Sequence, residues 1–152
     1  MLTIAPEPIH SEDARALIAD MLDLMRAMYG PDEEFGEIAQ AQVTPPAGLF
    51  LVARLNGEAV GCAALRQLKP DIGEIKRMFV RDAARGQGVA TRLLRQLEQQ
   101  ARDAGYAQIW LETGIYQPAA IHLYEREGYV RMPCAGYFGT EPPSVCYRKT
   151  LR

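Results

Sequence analysis

The sequence contains few of the residues from which hydrolytic, zinc-binding and disulfide-stabilised sites are built. Its 152 residues include two histidines and three cysteines, which are His10, His122, Cys62, Cys134 and Cys146. No cysteine lies in a C-x-x-C pair and no serine lies in a G-x-S-x-G motif, which argues against a zinc site and a serine triad. Because the cysteines are odd in number and widely spaced, we expect reduced thiols in a cytoplasmic protein, and no metal.

Long hydrophobic runs and a large excess of one charge are also absent. The longest stretch without a charged residue, 38–53, is interrupted by Pro45, Pro46 and Gly48 and is too short to span a bilayer. The first residues lack the basic and apolar regions of a signal peptide. Seventeen basic and nineteen acidic side chains give a net charge of −2, which does not favour nucleic-acid binding. We expect one domain over residues 1–152 that binds neither a membrane nor nucleic acid.

Apolar periodicity and turn residues predict a mixed α/β domain in the order β-α-β-β-β-α-β-α-β-β. The strongest turn signal is Asn56-Gly57, which predicts a tight hairpin. The acidic run 32–34 forms a turn or opens a further short helix, so we expect about seven strands and about four helices. The strands are predicted at residues 2–5, 49–55, 58–67, 73–80, 108–113, 129–132 and 145–150, and the later helices at 89–104 and 118–127.

The first helix has both a start signal and an apolar stripe. Ser11 can cap the first free N–H groups of this helix. Three methionines then recur at helical spacing, which predicts that they belong to the core: Met21, Met25 and Met28.

The most informative segment is the loop between the predicted strand 73–80 and the helix 89–104. Residues 85–90 read R-G-Q-G-V-A, and two glycines at this spacing let the backbone turn tightly while its N–H groups approach a ligand. The start of the following helix adds unsatisfied N–H groups and a positive dipole end, and Arg85 adds a cation. The loop therefore predicts a cradle for a diphosphate.

Three alternatives to a diphosphate cradle of this kind are a Walker P-loop, a Rossmann fingerprint and a turn without a ligand. A Walker P-loop requires G-x-x-x-x-G-K-[ST], which the loop lacks. A Rossmann fingerprint requires a third glycine where this sequence has Thr91. The fingerprint also follows the first strand of its domain, whereas this loop follows the predicted strand 73–80. The third is a glycine-rich turn that binds nothing.

Several linked motifs resemble those of the GNAT superfamily of acyl-CoA-dependent N-acyltransferases. The loop 85–90 satisfies the family signature [RQ]-x-x-G-x-[GA]. Residues 117–129 are similar to the family's N-x-x-A-x-x-L-Y-x-x-x-G-F segment, although Gln117 stands where many members have asparagine. The resemblance also takes in residues 74–80, 111–114 and 144–149, in the family's order.

The resemblance implies a single GNAT-like α/β domain that moves an acetyl group from acetyl-CoA to a primary amine in a ternary complex. Loop amides would hold the diphosphate, the strand before the loop would pair with the pantetheine arm, and an N–H group near Met78 or Phe79 would stabilise the oxyanion. The implied cofactor residues are Met78, Phe79, Val80, Arg85, Gly86, Gln87, Gly88, Val89, Ala90, Thr91 and Gln117.

Three side chains are candidates for proton transfer. Tyr124 shares the inward side of its helix with apolar residues, and the resemblance implies that its phenol, with a pKa of about 10, protonates the departing thiolate. The alternative is a tyrosine of the core. Glu74 aligns with the base of histone-acetyltransferase members, Glu112 competes with it, and water alone is a third choice. His122 lies about 200° from Tyr124 around the helix and should face solvent.

The acceptor site is expected near three aromatic residues and the acidic run 32–34, since these would attract a cationic amine. The aromatic residues are Tyr29, Tyr137 and Phe138. The acceptor is either a small-molecule amine or a protein amine, and the resemblance allows a homodimer. The alternative to an enzyme is a non-catalytic acyl-CoA-binding regulatory module. Such a module would bind acetyl-CoA without releasing the CoA thiol.

Overall fold

The computed structural model describes residues 1–134 and 144–151. Within them lie seven strands: β1 (Leu2–Pro6), β2 (Leu49–Leu55), β3 (Glu58–Lys69), β4 (Ile72–Val80), β5 (Gln108–Gly114), β6 (Val130–Met132) and β7 (Ser144–Thr150). The three α-helices are α1 (Glu12–Tyr29), α2 (Val89–Asp103) and α3 (Pro118–Arg126). Short 3₁₀ turns occupy Gln40–Val43 and Asp82–Ala84.

All seven strands form one mixed sheet in the order β1-β2-β3-β4-β5-β7-β6. Neighbouring strands are antiparallel except β4 and β5, which run parallel. The turn between β2 and β3 places Asn56 at φ 51° and Gly57 at φ 88°, the positive values that a type I′ hairpin requires. The predicted α/β fold and its hairpin are confirmed.

The sheet opens between its two parallel strands. The ladder between β4 and β5 begins at Ile72 opposite Gln108 and ends at Ile75 opposite Leu111. Beyond that pair β4 continues to Val80 along β3, while β5 continues along β7. A gap therefore opens between the carboxyl-terminal ends of β4 and β5.

Helices cover both faces of the sheet. Ser11 caps α1 by accepting a hydrogen bond from the Ala14 backbone N–H at 3.2 Å, and Ala14 and Leu17 are buried against one face. The apolar side of α2 packs into a core cluster on the other face, with Val89, Leu93, Leu94, Leu97 and Ala101 all buried.

Two predictions about the N-terminal half need correction. The described residues contain three α-helices and not about four, because residues 32–34 are not helical and Arg26 Nε ties this segment back to α1 through the Glu33 carbonyl at 3.0 Å. Met25 is buried, but Met21 and Met28 are only partly buried. They line cavities at the gap, so this side of α1 is only partly core.

The prediction that all three cysteines are reduced thiols is wrong for two of them. Cys134 and Cys146 form a disulfide, with their Cα atoms 5.4 Å apart. Pairing of β6 with β7 sets Met132 opposite Cys146, which brings Cys134 alongside. Cys62 is a buried free thiol, and burial raises its pKa to about 12. Among residues 1–134 and 144–151, no helix is long and apolar enough to cross a membrane.

Candidate active site in the gap between two strands

Two cavities occupy the gap between β4 and β5. The larger, about 500 Å³, is bordered by the loop at residues 84–91 and by α3, and we call it the loop cavity. The smaller, about 280 Å³, is bordered by the ends of β4 and β5 and by the segment 33–36, and we call it the strand cavity. The two cavities meet, since four residues line both: Met25, Met78, Gln117 and Ala120.

The loop cavity has the backbone geometry of an anion cradle. Gly86 and Gly88 adopt φ values of 77° and 78°, which residues with side chains rarely adopt. The first N–H groups of any α-helix have no partner within the helix, and Gly88, at the N-cap of α2, has no side chain to supply one. The start of α2 borders a cavity lined by six of the seven cofactor residues predicted at 85–91: Arg85, Gly86, Gly88, Val89, Ala90 and Thr91.

Cations surround the same cavity. Arg85 lines it, with Nε 3.2 Å from Asp82 Oδ1. Arg126 Nη2 donates to Thr91 Oγ1 at 3.0 Å, which holds this guanidinium beside the first turn of α2. Sequence reasoning missed Arg126, and helical spacing offered no signal for it, because a residue two positions from Tyr124 lies about 200° away around α3. His122 is exposed, as predicted, and lies on the cavity wall.

The strand before the loop offers a free backbone edge to this cavity. Met78, Phe79 and Val80 follow the end of the β4–β5 ladder, and all three line the loop cavity. Phe79 and Val80 also belong to the core, so packing and ligand contact coexist here. An extended arm with amide groups can hydrogen-bond such an edge like an added strand.

Two further cofactor residues predicted from the sequence have different positions. Gln117 directly precedes α3 and lines both cavities, so its amide lies where the cavities meet. The Gln87 side chain is exposed and is not part of the lining of the loop cavity.

A bulge at Arg77 shapes the strand cavity. Arg77 has φ 58°, and the β3–β4 register shifts between Cys62 and Ala64 beside it. Its side chain is buried, with Nη2 donating to the Gly36 carbonyl at 2.6 Å and the guanidinium 4.4 Å from the Phe35 ring centroid. Arg77 thereby fixes the segment after α1 against the sheet. No residue pattern predicted this arrangement, since a positive φ is uncommon for arginine.

Tyr124 lies in the wall of the strand cavity with its side chain buried, as predicted. Tyr129 and Tyr147 hold its ring on two sides, with centroid separations of 5.6 Å and 6.2 Å. Burial raises the pKa of the Tyr124 phenol above its ordinary value, so the group is protonated at neutral pH. A rigid, protonated phenol at the edge of the gap is suited to donate a proton.

The two candidate carboxylates lie in different environments. Glu74 is buried, with Oε1 2.9 Å from Arg66 Nε and Oε2 3.9 Å from Lys76 Nζ. Glu112 is exposed, and its Oε2 accepts a hydrogen bond from Ser144 Oγ at 2.5 Å. Both line the strand cavity, on opposite sides of the gap. Arg66 binds one oxygen of the buried Glu74 carboxylate, whereas solvent can reach Glu112.

Tyr29 closes one side of the strand cavity by a very close approach to the backbone. Its hydroxyl accepts from the Tyr116 N–H at 3.2 Å, and the two rings are 5.3 Å apart. A Cβ atom added at Gly114 would overlap this hydroxyl, so any larger residue at this position requires the Tyr29 ring to move. Tyr137 and Phe138, also predicted for this pocket, lie outside the described residues.

Comparison of the chain with known proteins identifies its family. Residues 15–129 match the profile of the acetyltransferase (GNAT) family. The chain belongs to the GNAT family. It is an acyltransferase that uses acetyl-CoA as its acyl donor and an amine as its acceptor.

A relative over the whole length supports this GNAT assignment. The chain is 37% identical over 152 residues to an "IAA acetyltransferase" of Azospirillum brasilense, an alignment that covers 99% of this chain and 98% of the relative. It is also 31% identical over 139 residues to the uncharacterized N-acetyltransferase YsnE of Bacillus subtilis, an alignment that covers 90% of this chain and 91% of that one.

Solved structures of GNAT proteins have the same fold. A crystal structure from Klebsiella pneumoniae, described as an acyl-CoA N-acyltransferase, superposes with a TM-score of 0.83 at 34% identity, covering 100% of this chain and 99% of the other. A GNAT structure from Elizabethkingia anophelis with acetyl-CoA bound has a TM-score of 0.70 at 19% identity, covering 98% of this chain and 97% of the other. At this identity the similarity extends to the fold only.

Proposed function

We propose that residues 1–152 form one acetyltransferase domain in which a primary amine attacks acetyl-CoA directly within a ternary complex. The observation that carries this proposal is the meeting of the two cavities at Met78 and Gln117. Acetyl-CoA in the loop cavity and an amine in the strand cavity would have their reacting atoms at this junction. No cysteine or serine nucleophile is needed for the transfer.

The donor is held by main-chain groups at two places. The N–H groups of Gly88, Val89, Ala90 and Thr91 bind the diphosphate, helped by the positive end of α2. The free edge of β4 from Met78 to Val80 pairs with the pantetheine arm. An N–H group of this edge near Met78 or Phe79 stabilises the charge that develops on the thioester oxygen.

The reaction balances with two proton transfers. The amine nitrogen forms a bond to the thioester carbon, the carbon–sulfur bond breaks, and its electron pair leaves with sulfur. Tyr124 gives its proton to this thiolate and is reprotonated from solvent. Its raised pKa suits the task, because the dry cavity that raises the phenol pKa also makes the thiolate more basic.

The proton that the amine loses goes to a carboxylate. We assign this role to Glu112, through water, because its carboxylate is exposed on the wall of the strand cavity. Glu74 supports the site through its ion pair with Arg66, and its carboxylate is buried, whereas that of Glu112 is exposed. Water alone is the remaining alternative for the base.

The test is thiol release from acetyl-CoA with a panel of primary amines, followed by mass spectrometry of the acetylated product. Acetyl-CoA binding is measured separately, since ligand at about 100 times Kd should stabilise the fold by about 2.7 kcal/mol. The proposal predicts both stabilisation and amine-dependent thiol release. Stabilisation without thiol release for any amine would contradict it and would favour a regulatory acyl-CoA-binding module.

A further inference from the structure

The β4 wall of the strand cavity has more cations than carboxylates. Lys76 and Arg77 line the cavity there beside the buried Glu74 carboxylate, and Arg66 of β3 contacts Glu74 from outside the lining, with its Nε 2.9 Å from Oε1. Glu33, Glu34 and Glu112 line other parts of the cavity. The β4 wall can therefore accept an anionic group of a ligand, although acidic residues predominate in the lining as a whole.

Lys76 is the cation best placed to take that anion. It lines the strand cavity and is half-buried, and its Nζ is 3.9 Å from Glu74 Oε2, which is too long for a hydrogen bond. Arg77 is already bound to the Gly36 carbonyl and stacked on Phe35. In the described part of the chain, Lys76 therefore keeps ammonium protons for a ligand.

The electrostatic surroundings of Lys76 agree with this geometry. Burial lowers the pKa of its ammonium, Glu74 and Glu112 oppose that effect, and Arg66 and Arg77 add to it. A group in this state gains from a bound anion, which replaces lost hydration and offsets the neighbouring arginines.

The opposite wall of the cavity has the other sign. Glu112 lies on β5, across the gap from β4, and its carboxylate acts electrostatically on Lys76. The two walls thus offer a cation and an anion to one small ligand. Glu33 and Glu34 also line the cavity and favour an amine, so the feature that separates an amino acid from a purely cationic amine is an anionic group that can pair with Lys76.

We propose that the acceptor is an amine that also carries a carboxylate, such as an α-amino acid, with its carboxylate bound by Lys76 and its amino group on the Glu112 side. This inference rests on the proposed acetyl transfer to an amine and specifies the substrate class of the same site. Lys76 is then a specificity-determining residue and takes no part in proton transfer.

The experiment compares matched acceptors that differ only in the carboxylate. Free α-amino acids, their α-amides and the corresponding decarboxylated amines are assayed for thiol release with the wild-type protein, Lys76→Met and Lys76→Arg. Arg15→Met is the control, because Arg15 is exposed on α1, lines neither cavity and carries the same charge. Acetyl-CoA stabilisation is measured for every variant as a check of folding and donor binding.

Lys76→Met should lower kcat/KM for the amino acids by about 10- to 100-fold, chiefly through KM, and should leave the amides and amines nearly unchanged. Lys76→Arg should retain the preference for a carboxylate, and Arg15→Met should behave as wild type. Equal losses for all acceptors in Lys76→Met, or no rescue by arginine, would overturn the inference and would make Lys76 a base or a structural residue. If the wild-type protein preferred polyamines or amides to free amino acids, the inferred carboxylate site would be overturned, although the proposed acetyl transfer would stand. No thiol release with any amine would overturn the proposed function as well.

Discussion

The Glu74 carboxylate is bound by Arg66 across the β3–β4 pair, with Oε1 and Nε 2.9 Å apart. Glu74 is also among the buried charged residues of the chain. A buried carboxylate held in this way stabilises its neighbours and has little freedom to collect a proton from an amine. Glu112, on the other side of the gap, is exposed and has access to water.

The two glutamates should therefore respond differently to the same substitution. Glu74→Gln leaves Arg66 with a weaker acceptor and should cost about 1.5–3 kcal/mol of unfolding free energy, with a small change in kcat. Glu112→Gln should leave stability nearly unchanged and lower kcat by about 10²-fold. Urea denaturation and steady-state kinetics on both variants make the comparison. A large loss of kcat in Glu74→Gln with normal kcat in Glu112→Gln would assign the base to Glu74. Unchanged kcat in both variants would mean that water accepts the proton without help from either carboxylate.

Tyr124→Phe removes the proposed acid and keeps the ring between Tyr129 and Tyr147. We expect kcat to fall by about 10²- to 10⁴-fold while the Kd for acetyl-CoA stays the same. Tyr106→Phe is the matched control, since the Tyr106 hydroxyl donates to the Ala47 carbonyl at 2.6 Å and the residue lines neither cavity. The control should lose about 1 kcal/mol of stability and keep its turnover. Full activity in Tyr124→Phe would remove this tyrosine from the mechanism.

Gly114→Ala tests the close approach of Tyr29 to the backbone of β5. A methyl group at Gly114 overlaps the Tyr29 hydroxyl, so the tyrosine must move and the strand cavity changes shape. We expect a loss of about 1–3 kcal/mol in stability and a raised KM for the acceptor. Gly36→Ala is the control for stability, since no atom lies within 4 Å of its added Cβ. Equal stability of the two variants would show that Tyr29 adapts freely.

Thiol counting tests the Cys134–Cys146 disulfide. Unfolded protein without reductant should react with one equivalent of a thiol reagent, at Cys62, and with three equivalents after reduction. Because the bridge closes a loop of 12 residues, reduction should lower the unfolding free energy by about 3 kcal/mol. Three equivalents without reductant would contradict the disulfide.

Local sequence signals predicted the elements whose geometry is set by neighbouring residues. Asn56-Gly57 specifies its own hairpin, and the glycines at 86 and 88 specify a left-handed backbone before α2, because positive φ values depend on the residue itself. Tyr124 was placed on the inner side of α3 by helical spacing alone, and the structure buries it.

Features set by distant parts of the chain were not predictable in this way. The Cys134–Cys146 bridge depends on the pairing of β6 with β7, which cysteine spacing does not reveal. The methionine spacing on α1 marked one side of the helix, but it could not show that this side also faces cavities. Likewise, the Arg77 bulge and the cations around Glu74 follow from strand register.

Calorimetric titration of acetyl-CoA measures whether the main-chain amides of residues 88–91 bind its diphosphate. Gly86→Val and Gly88→Val each place a branched side chain at a positive φ beside these amides, and Gly57→Val imposes the same strain at the β2–β3 hairpin, away from both cavities. We expect the Kd for acetyl-CoA to rise by about tenfold or more in the two loop variants and to stay unchanged in Gly57→Val. Wild-type affinity in all three variants would show that the loop amides do not bind the diphosphate.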